Sequence, residues 1–168
     1  MSETILEVEN LAVGFGRGTR RVAVTTEVGF ALRRGEILAL VGESGCGKSL
    51  SCLALTRLLP PGAEIISGAI RFRDRSGRER DLAALPSREL RRVRGGGIAY
   101  IFQEPASSLN PVFRVGDQIA EVIHLHRPEV REVHDEVVRL LTEVGIPDPA
   151  RRMEAFPHEL SGGMQQRV

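Results

Sequence analysis

The 168-residue sequence has no tryptophan, and aromatic residues make up only 4% of it. Its 42% hydrophobic content is enough for a real core, and that core must be largely aliphatic. There are two cysteines, Cys46 and Cys52. Their spacing suits neither a disulfide framework nor a zinc site and points to a reducing compartment. No apolar run approaches the roughly 18 residues of a membrane-spanning helix. Met1-Ser2-Glu3-Thr4 lacks the basic and apolar regions of a signal peptide, so a cytosolic protein is expected. The formal net charge of +1 gives no global pointer to nucleic acid. Lysine is almost missing too: Lys48 is alone among 23 basic residues, the rest being arginine.

That solitary lysine sits in Gly42-Glu43-Ser44-Gly45-Cys46-Gly47-Lys48-Ser49, which fits the phosphate-binding loop pattern of Gly, four residues, then Gly-Lys-Ser. An ammonium on a flexible stem can curl over a phosphate chain as a point charge, a path closed to a planar guanidinium. The preceding run Glu36-Ile37-Leu38-Ala39-Leu40-Val41 reads as a buried strand. Ser49 to Leu59 reads as a helix with Leu50, Leu53, Ala54 and Leu58 on one side, stopped by Pro60-Pro61-Gly62. Strand, glycine loop and helix form the context this motif requires. Loop and helix amides would cradle phosphates, and Ser49 is placed to put its hydroxyl on Mg²⁺.

Elsewhere, residues 5–11, 22–24 and 28–32 alternate like strands. Residues 68–73 and the turn Asp74-Arg75-Ser76-Gly77 look like half a hairpin. Pro86-Ser87 opens a short helix through Arg94, with Ser87 as its expected N-cap. Ile98 to Phe102 reads as a second fully apolar strand, ending at Gln103. Val115 to His126 is a candidate helix. Glu129 to Val144 is the clearest one, carrying Val130, Val133, Val137, Leu140, Leu141 and Val144 at helical spacing and ended by Gly145. Arg71 to Arg94 is locally basic. It reads either as a solvated hairpin and helix face or as a contact for a polar partner or lipid headgroups.

A second motif, Leu160-Ser161-Gly162-Gly163-Met164-Gln165-Gln166-Arg167, places a good N-cap before two glycines at a helix start, another anion site by the same physics. Together with the loop at 42–49 and Gln103 between them, it makes the sequence resemble the nucleotide-binding subunits of ABC transporters. The stretches Phe102-Gln103-Glu104-Pro105-Ala106-Ser107-Ser108-Leu109-Asn110-Pro111 and Phe156-Pro157-His158-Glu159-Leu160 look like the importer branch for oligopeptides, dipeptides, nickel and glutathione.

The resemblance implies an α/β fold, a P-loop NTPase core of ABC ATPase type with an N-terminal antiparallel β subdomain and an α-helical subdomain. Residues 1–103 would hold the incomplete core with the β subdomain, 104–160 the helical subdomain, and 161–168 the start of the signature helix. It implies MgATP as ligand, with Phe15 stacking on adenine and residues 42–49 binding phosphates. Lys48 and Gln103 would serve catalysis, and Ser49 and Gln103 the metal. Ser161, Gly162, Gly163 and Gln165 would contact a partner's ATP. The implied partners are a second ATP-binding subunit, membrane permease subunits and, indirectly, an extracytoplasmic solute-binding protein. Nucleic acid is not among them, and the implied location is peripheral, on the cytoplasmic face of the membrane.

The family's strand ending in Asp-Glu and its switch histidine follow the signature, and neither occurs before Val168. His124, His126, His134 and His158 do not fit the switch role. These 168 residues are therefore expected to bind nucleotide without turning it over. The apolar runs 37–41 and 98–102 are expected to lack strand neighbours. The rival readings are a soluble ABC-type ATPase acting on nucleic acid and a non-catalytic nucleotide-binding module.

Overall fold

The computed structural model describes residues 3–16, 21–102 and 108–168. Gln103 and the stretch 104–107 lie outside the described residues, as does 17–20. The chain divides into two compact units, Met1–Ile98 and Ala99–Val168.

The first unit is built on a four-stranded antiparallel sheet in the order β2-β1-β3-β4, with β1 at Thr4–Phe15, β2 at Val22–Arg33, β3 at Ala63–Arg73 and β4 at Glu79–Asp81. The two strand-like runs at 22–24 and 28–32 thus join into one strand. β1 is central because its apolar positions are covered from both neighbours: Val8 faces Phe30 on one side and Ile70 on the other. Its inward residues are Leu6 and Val8, then Leu11 and Val13, a switch from even to odd positions. The sheet absorbs that switch with an irregular register between Val8 and Leu11, where Asn10 takes φ 49°. Gly68 on β3 approaches this kink so closely that a Cβ there would sit 2.5 Å from Leu11 Cα.

Against the sheet lie α1 (Lys48–Ala54) and α2 (Ser87–Val93). Ala54, Leu55, Leu82, Leu90 and Val93 complete a core with Leu6, Val8, Leu11, Val13, Ile70 and Phe72. Two helix expectations are corrected here. α1 ends at Ala54 rather than at Leu59, because the chain turns left-handed at Arg57 (φ 53°) and Leu58 is left exposed. α2 is capped by Pro86 in an extended conformation, with Ser87 already helical and no side-chain cap bond.

Two strand expectations are corrected as well. The run 36–41 forms no strand, with Ile37 97% and Val41 92% exposed. Residues 99–102 likewise form no strand, with Ile101 98% exposed, and Ile98 bridges to Arg94 only as an isolated pair outside the sheet. An all-apolar run becomes a strand when neighbours supply ladder hydrogen bonds and cover both faces. Neither run is part of the four-stranded sheet.

The second unit is helical: α3 (Val115–His126), α4 (Val133–Glu143), α5 (Pro149–Arg152), a 3₁₀ turn (Pro157–Glu159) and α6 (Gly162–Gln165). Val115, Ile123, Val137, Leu141, Ile146, Met153, Leu160 and Met164 form its core. α3 has the bounds expected from the sequence. α4 starts four residues later than expected, since Arg127 to Val130 is occupied by a turn, and Gly145 ends it at φ 70°.

On α4, Glu136 is held by Arg139 one turn on and by Arg127 from the end of α3. Hydrogen bonds from these two guanidiniums, Arg139 first, lower its pKa from 4.5 to about 2. A carboxylate depressed in the folded state stabilises above its ordinary pKa, and that contribution is lost as pH falls from about 4.5 through about 2. Glu136→Gln should therefore lower the melting temperature at pH 7 and leave a smaller drop between pH 4.5 and 2. Parallel melts of the two proteins across that range would check it; equal acid sensitivity would refute the assignment.

Candidate nucleotide site

The chain enters the loop through a turn at Arg33–Glu36, where the Glu36 carboxylate accepts from the Arg33 amide at 2.8 Å and Gly35 takes φ 77°. It leaves through Gly47, which caps α1 in the left-handed region at φ 91°. Gly47 is required there for two reasons. L side chains are disfavoured at that backbone angle, and a Cβ would meet Thr25 Cγ2 on β2 at 2.2 Å. Thr25 is itself buried and fixed, its hydroxyl accepting from the Val13 amide at 3.2 Å. The loop therefore rests on the sheet through a glycine–threonine contact that no motif pattern in the sequence advertised.

Lys48 is the first residue of α1 and its side chain folds back over the loop. Nζ donates to the carbonyls of Gly42 and Glu43, both at 2.7 Å, and to Cys46 Sγ at 3.4 Å. The ammonium is thus held by the loop it belongs to. Ser49 follows on the exposed side. The first four amides of an α-helix have no partner within it, so this end offers donors to an anion. Gly42, Glu43, Ser44, Gly45 and Cys46 are exposed, and at Gly45 a Cβ would meet nothing. These features fit a phosphate chain. Among the described residues no three His, Cys, Asp or Glu side chains gather as a metal site. Of the loop residues described, Ser49 could offer its hydroxyl to a Mg²⁺. Cys52 is apart from this chemistry, and burial pushes its thiol pKa up.

The far end of α1 is anchored by Arg94, a residue with no signal in the sequence. Its Nε and Nη2 donate to the Thr56 carbonyl at 3.0 and 2.8 Å, and Nη2 also reaches the Arg57 carbonyl at 3.2 Å. Phe15 closes β1, pairs with Val22 and Ala63, and is 40% exposed beside Gly62. Val22 is three residues along β2 from Thr25, the seat of Gly47. That separation is about 10 Å at the rise of a strand.

The second unit presents Ser161–Gly163. The Ser161 hydroxyl accepts from the Met164 amide at 3.3 Å, the N-cap bond expected from the sequence. Gly162 and Gly163 are exposed, and added Cβ atoms would meet nothing. Gln165 has local work: its side-chain amide donates to the carbonyls of Pro157 at 2.6 Å and Leu160 at 3.2 Å, fastening α6 to the 3₁₀ turn. Arg167 does the same towards α4, donating to the Val144 carbonyl at 3.2 Å.

A family model described as ABC transporter matches residues 25–168. A peptide import ATP-binding protein of Brucella ovis is 46% identical over 168 residues, covering 99% of this chain and 50% of that protein. The glutathione import ATP-binding protein GsiA of Pectobacterium atrosepticum is 47% identical over 166 residues, covering 98% of this chain and 27% of that protein. The chain thus spans half or less of the length of these relatives. The fold is similar to that of the dimeric ATP-binding cassette MJ0796 in a post-hydrolysis state with ADP and Pi. That likeness has a TM-score of 0.75 at 19% identity, over 97% of this chain and 66% of the cassette.

Proposed function

Because the chain belongs to the ABC transporter family, we propose that it is the ATP-binding part of a membrane importer subunit for peptides or similar small solutes. The observation that carries this reading is the Lys48 ammonium folded over a glycine loop at the start of a helix. The import of peptides and glutathione by proteins 46–47% identical supports the solute class.

In this reading MgATP lies on residues 42–49 with its adenine against Phe15. Lys48 exchanges its two carbonyl partners for β- and γ-phosphate oxygens. Loop amides and the start of α1 hold the remaining phosphate charge, and Ser49 and Gln103 hold Mg²⁺. The metal supplies charge neutralisation on the transferring phosphoryl group. In the whole subunit, hydrolysis then rests on positioning and charge stabilisation, with Gln103 near the attacking water. Ser161, Gly162 and Gly163 cap the γ-phosphate on a second ATP-binding subunit, and Gln165 keeps their helix in place. Permease subunits receive the resulting motion at the cytoplasmic face of the membrane, with a solute-binding protein upstream of them.

Gly162→Asp tests the shared site. A Cβ at Gly162 meets nothing, and acidic side chains are favourable in a helix's first turn, so the variant should fold. Its charge, however, would stand where a phosphate docks. The full-length variant is expected to bind ATP normally as a monomer yet fail to form an ATP-bound dimer, measured by light scattering on a hydrolysis-blocked background. Loss of nucleotide binding by the monomer would show that the signature serves its own loop.

A further inference from the structure

Residues 71–94 carry a charge that neither nucleotide motif uses. They hold nine arginines against Asp74, Glu79, Asp81 and Glu89, a net +5. The rest of the chain carries 14 basic and 18 acidic residues, a net −4. A nearly neutral chain is therefore strongly polarised.

The structure divides the nine arginines. Four are engaged internally: Arg71 with Glu7 and Glu9, Arg73 with Glu79 and Glu3, Arg80 with Asp74 and Glu89, and Arg94 with the carbonyls that end α1. The same bonds occupy three of the segment's four carboxylates, and Asp81 accepts from the amides of Ile70 and Ala83. Arg75, Arg78, Arg88, Arg91 and Arg92 remain, exposed and without an ion pair among the described residues. Arg88, Arg91 and Arg92 are spaced i, i+3, i+4, so they share one face of α2, while Leu90 and Val93 point into the core. Arg75 and Arg78 flank the tip of the β3–β4 turn. Arg80 ties that turn to α2, reaching Asp74 at 3.3 Å and Glu89 at 3.4 Å. Arg80 thus fastens the turn that carries Arg75 and Arg78 to the helix that carries Arg88, Arg91 and Arg92.

We propose that this surface docks on anionic phospholipid headgroups. Protein interfaces take their energy from buried aromatic and aliphatic anchors, and no large hydrophobic side chain between residues 74 and 97 is exposed. Binders of single-stranded nucleic acid stack bases on aromatic rings, and residues 74–97 contain none. A lipid leaflet presents a planar field of phosphates and asks only for clustered positive charge, to which each basic residue adds. Arginine suits phosphate through its forked donors. The net −4 on the remaining chain would turn the other faces away from the same membrane.

The test is flotation of the full-length protein, without nucleotide, on vesicles of phosphatidylcholine with or without about one-third phosphatidylglycerol. Leaving nucleotide out separates the result from the ATP-binding reading. Binding is expected only to the anionic vesicles and should fall as salt rises. Replacing Arg88, Arg91 and Arg92 together with glutamine should weaken it about a hundredfold, at roughly the contribution of one basic residue near a charged surface for each site lost. The triple lysine variant should retain most of it. Arg75→Gln with Arg78→Gln should weaken binding independently, which keeps the test decisive if the α2 variant folds poorly. Equal binding to neutral vesicles, or undiminished binding by both glutamine variants, would overturn the proposal. So would tighter binding to duplex or single-stranded DNA than to anionic vesicles at the same salt.

Discussion

Lys48→Arg is expected to lose MgATP binding nearly as completely as Lys48→Ala, by about a hundredfold or more. Nζ sits 2.7 Å from the carbonyls of Gly42 and Glu43, on a side chain that turns back over its own loop. A hydrogen bond to a charged group is worth about 1.5–3 kcal/mol, and losing the ammonium removes more than one, so alanine should cost about 3 kcal/mol or more. Arginine keeps the charge, but its planar fork cannot follow the same tight path between two carbonyls and the Cys46 sulfur. Calorimetric titration of the three proteins with MgATP would decide it. Near-native affinity in the arginine variant would show that charge alone suffices.

Gly47→Ala should both weaken nucleotide binding and lower stability. The left-handed backbone at φ 91° costs a non-glycine residue about 1–2 kcal/mol, and the new Cβ would lie 2.2 Å from Thr25 Cγ2. Something has to move, and Thr25 is buried and bonded to the Val13 amide. The two costs can be separated. Thr25→Ser deletes Cγ2 and keeps the hydroxyl that Val13 needs. Combined with Gly47→Ala it should recover the steric part of the loss and leave the backbone part. Melting temperatures of the wild type, both single variants and the double variant would give the coupling. A double variant no better than Gly47→Ala would mean that Thr25 is not what confines the loop.

The nucleotide loop was legible in the sequence because its chemistry is local. Glycines, one lysine and a serine at fixed spacing specify backbone angles and donors within eight residues, and the Ser161 cap is likewise a contact across three residues. α3 was legible for a related reason: its apolar spacing is sustained over twelve residues and its bounds are set by sharp chain breaks. The end of α1 was not, since Leu50 to Leu59 keeps a helical look while Arg57 adopts a left-handed turn and sends its guanidinium to the carbonyls of Ala83 and Leu85.

The sequence by itself therefore determined the family, the glycine–lysine loop ahead of α1, the Ser161 cap and most of the helices, all features written in neighbouring residues. Only the tertiary structure decided that Gly47 rests on Thr25, that Arg94 holds the end of α1, and that five of nine arginines in one segment stay free. It also decided that the apolar runs at 37–41 and 99–102 are not strands of the sheet. A strand exists only where a second strand supplies its hydrogen bonds, and an arginine is free only where no carboxylate from elsewhere reaches it. Both conditions join residues far apart in the chain, and composition and periodicity carry no record of such distances.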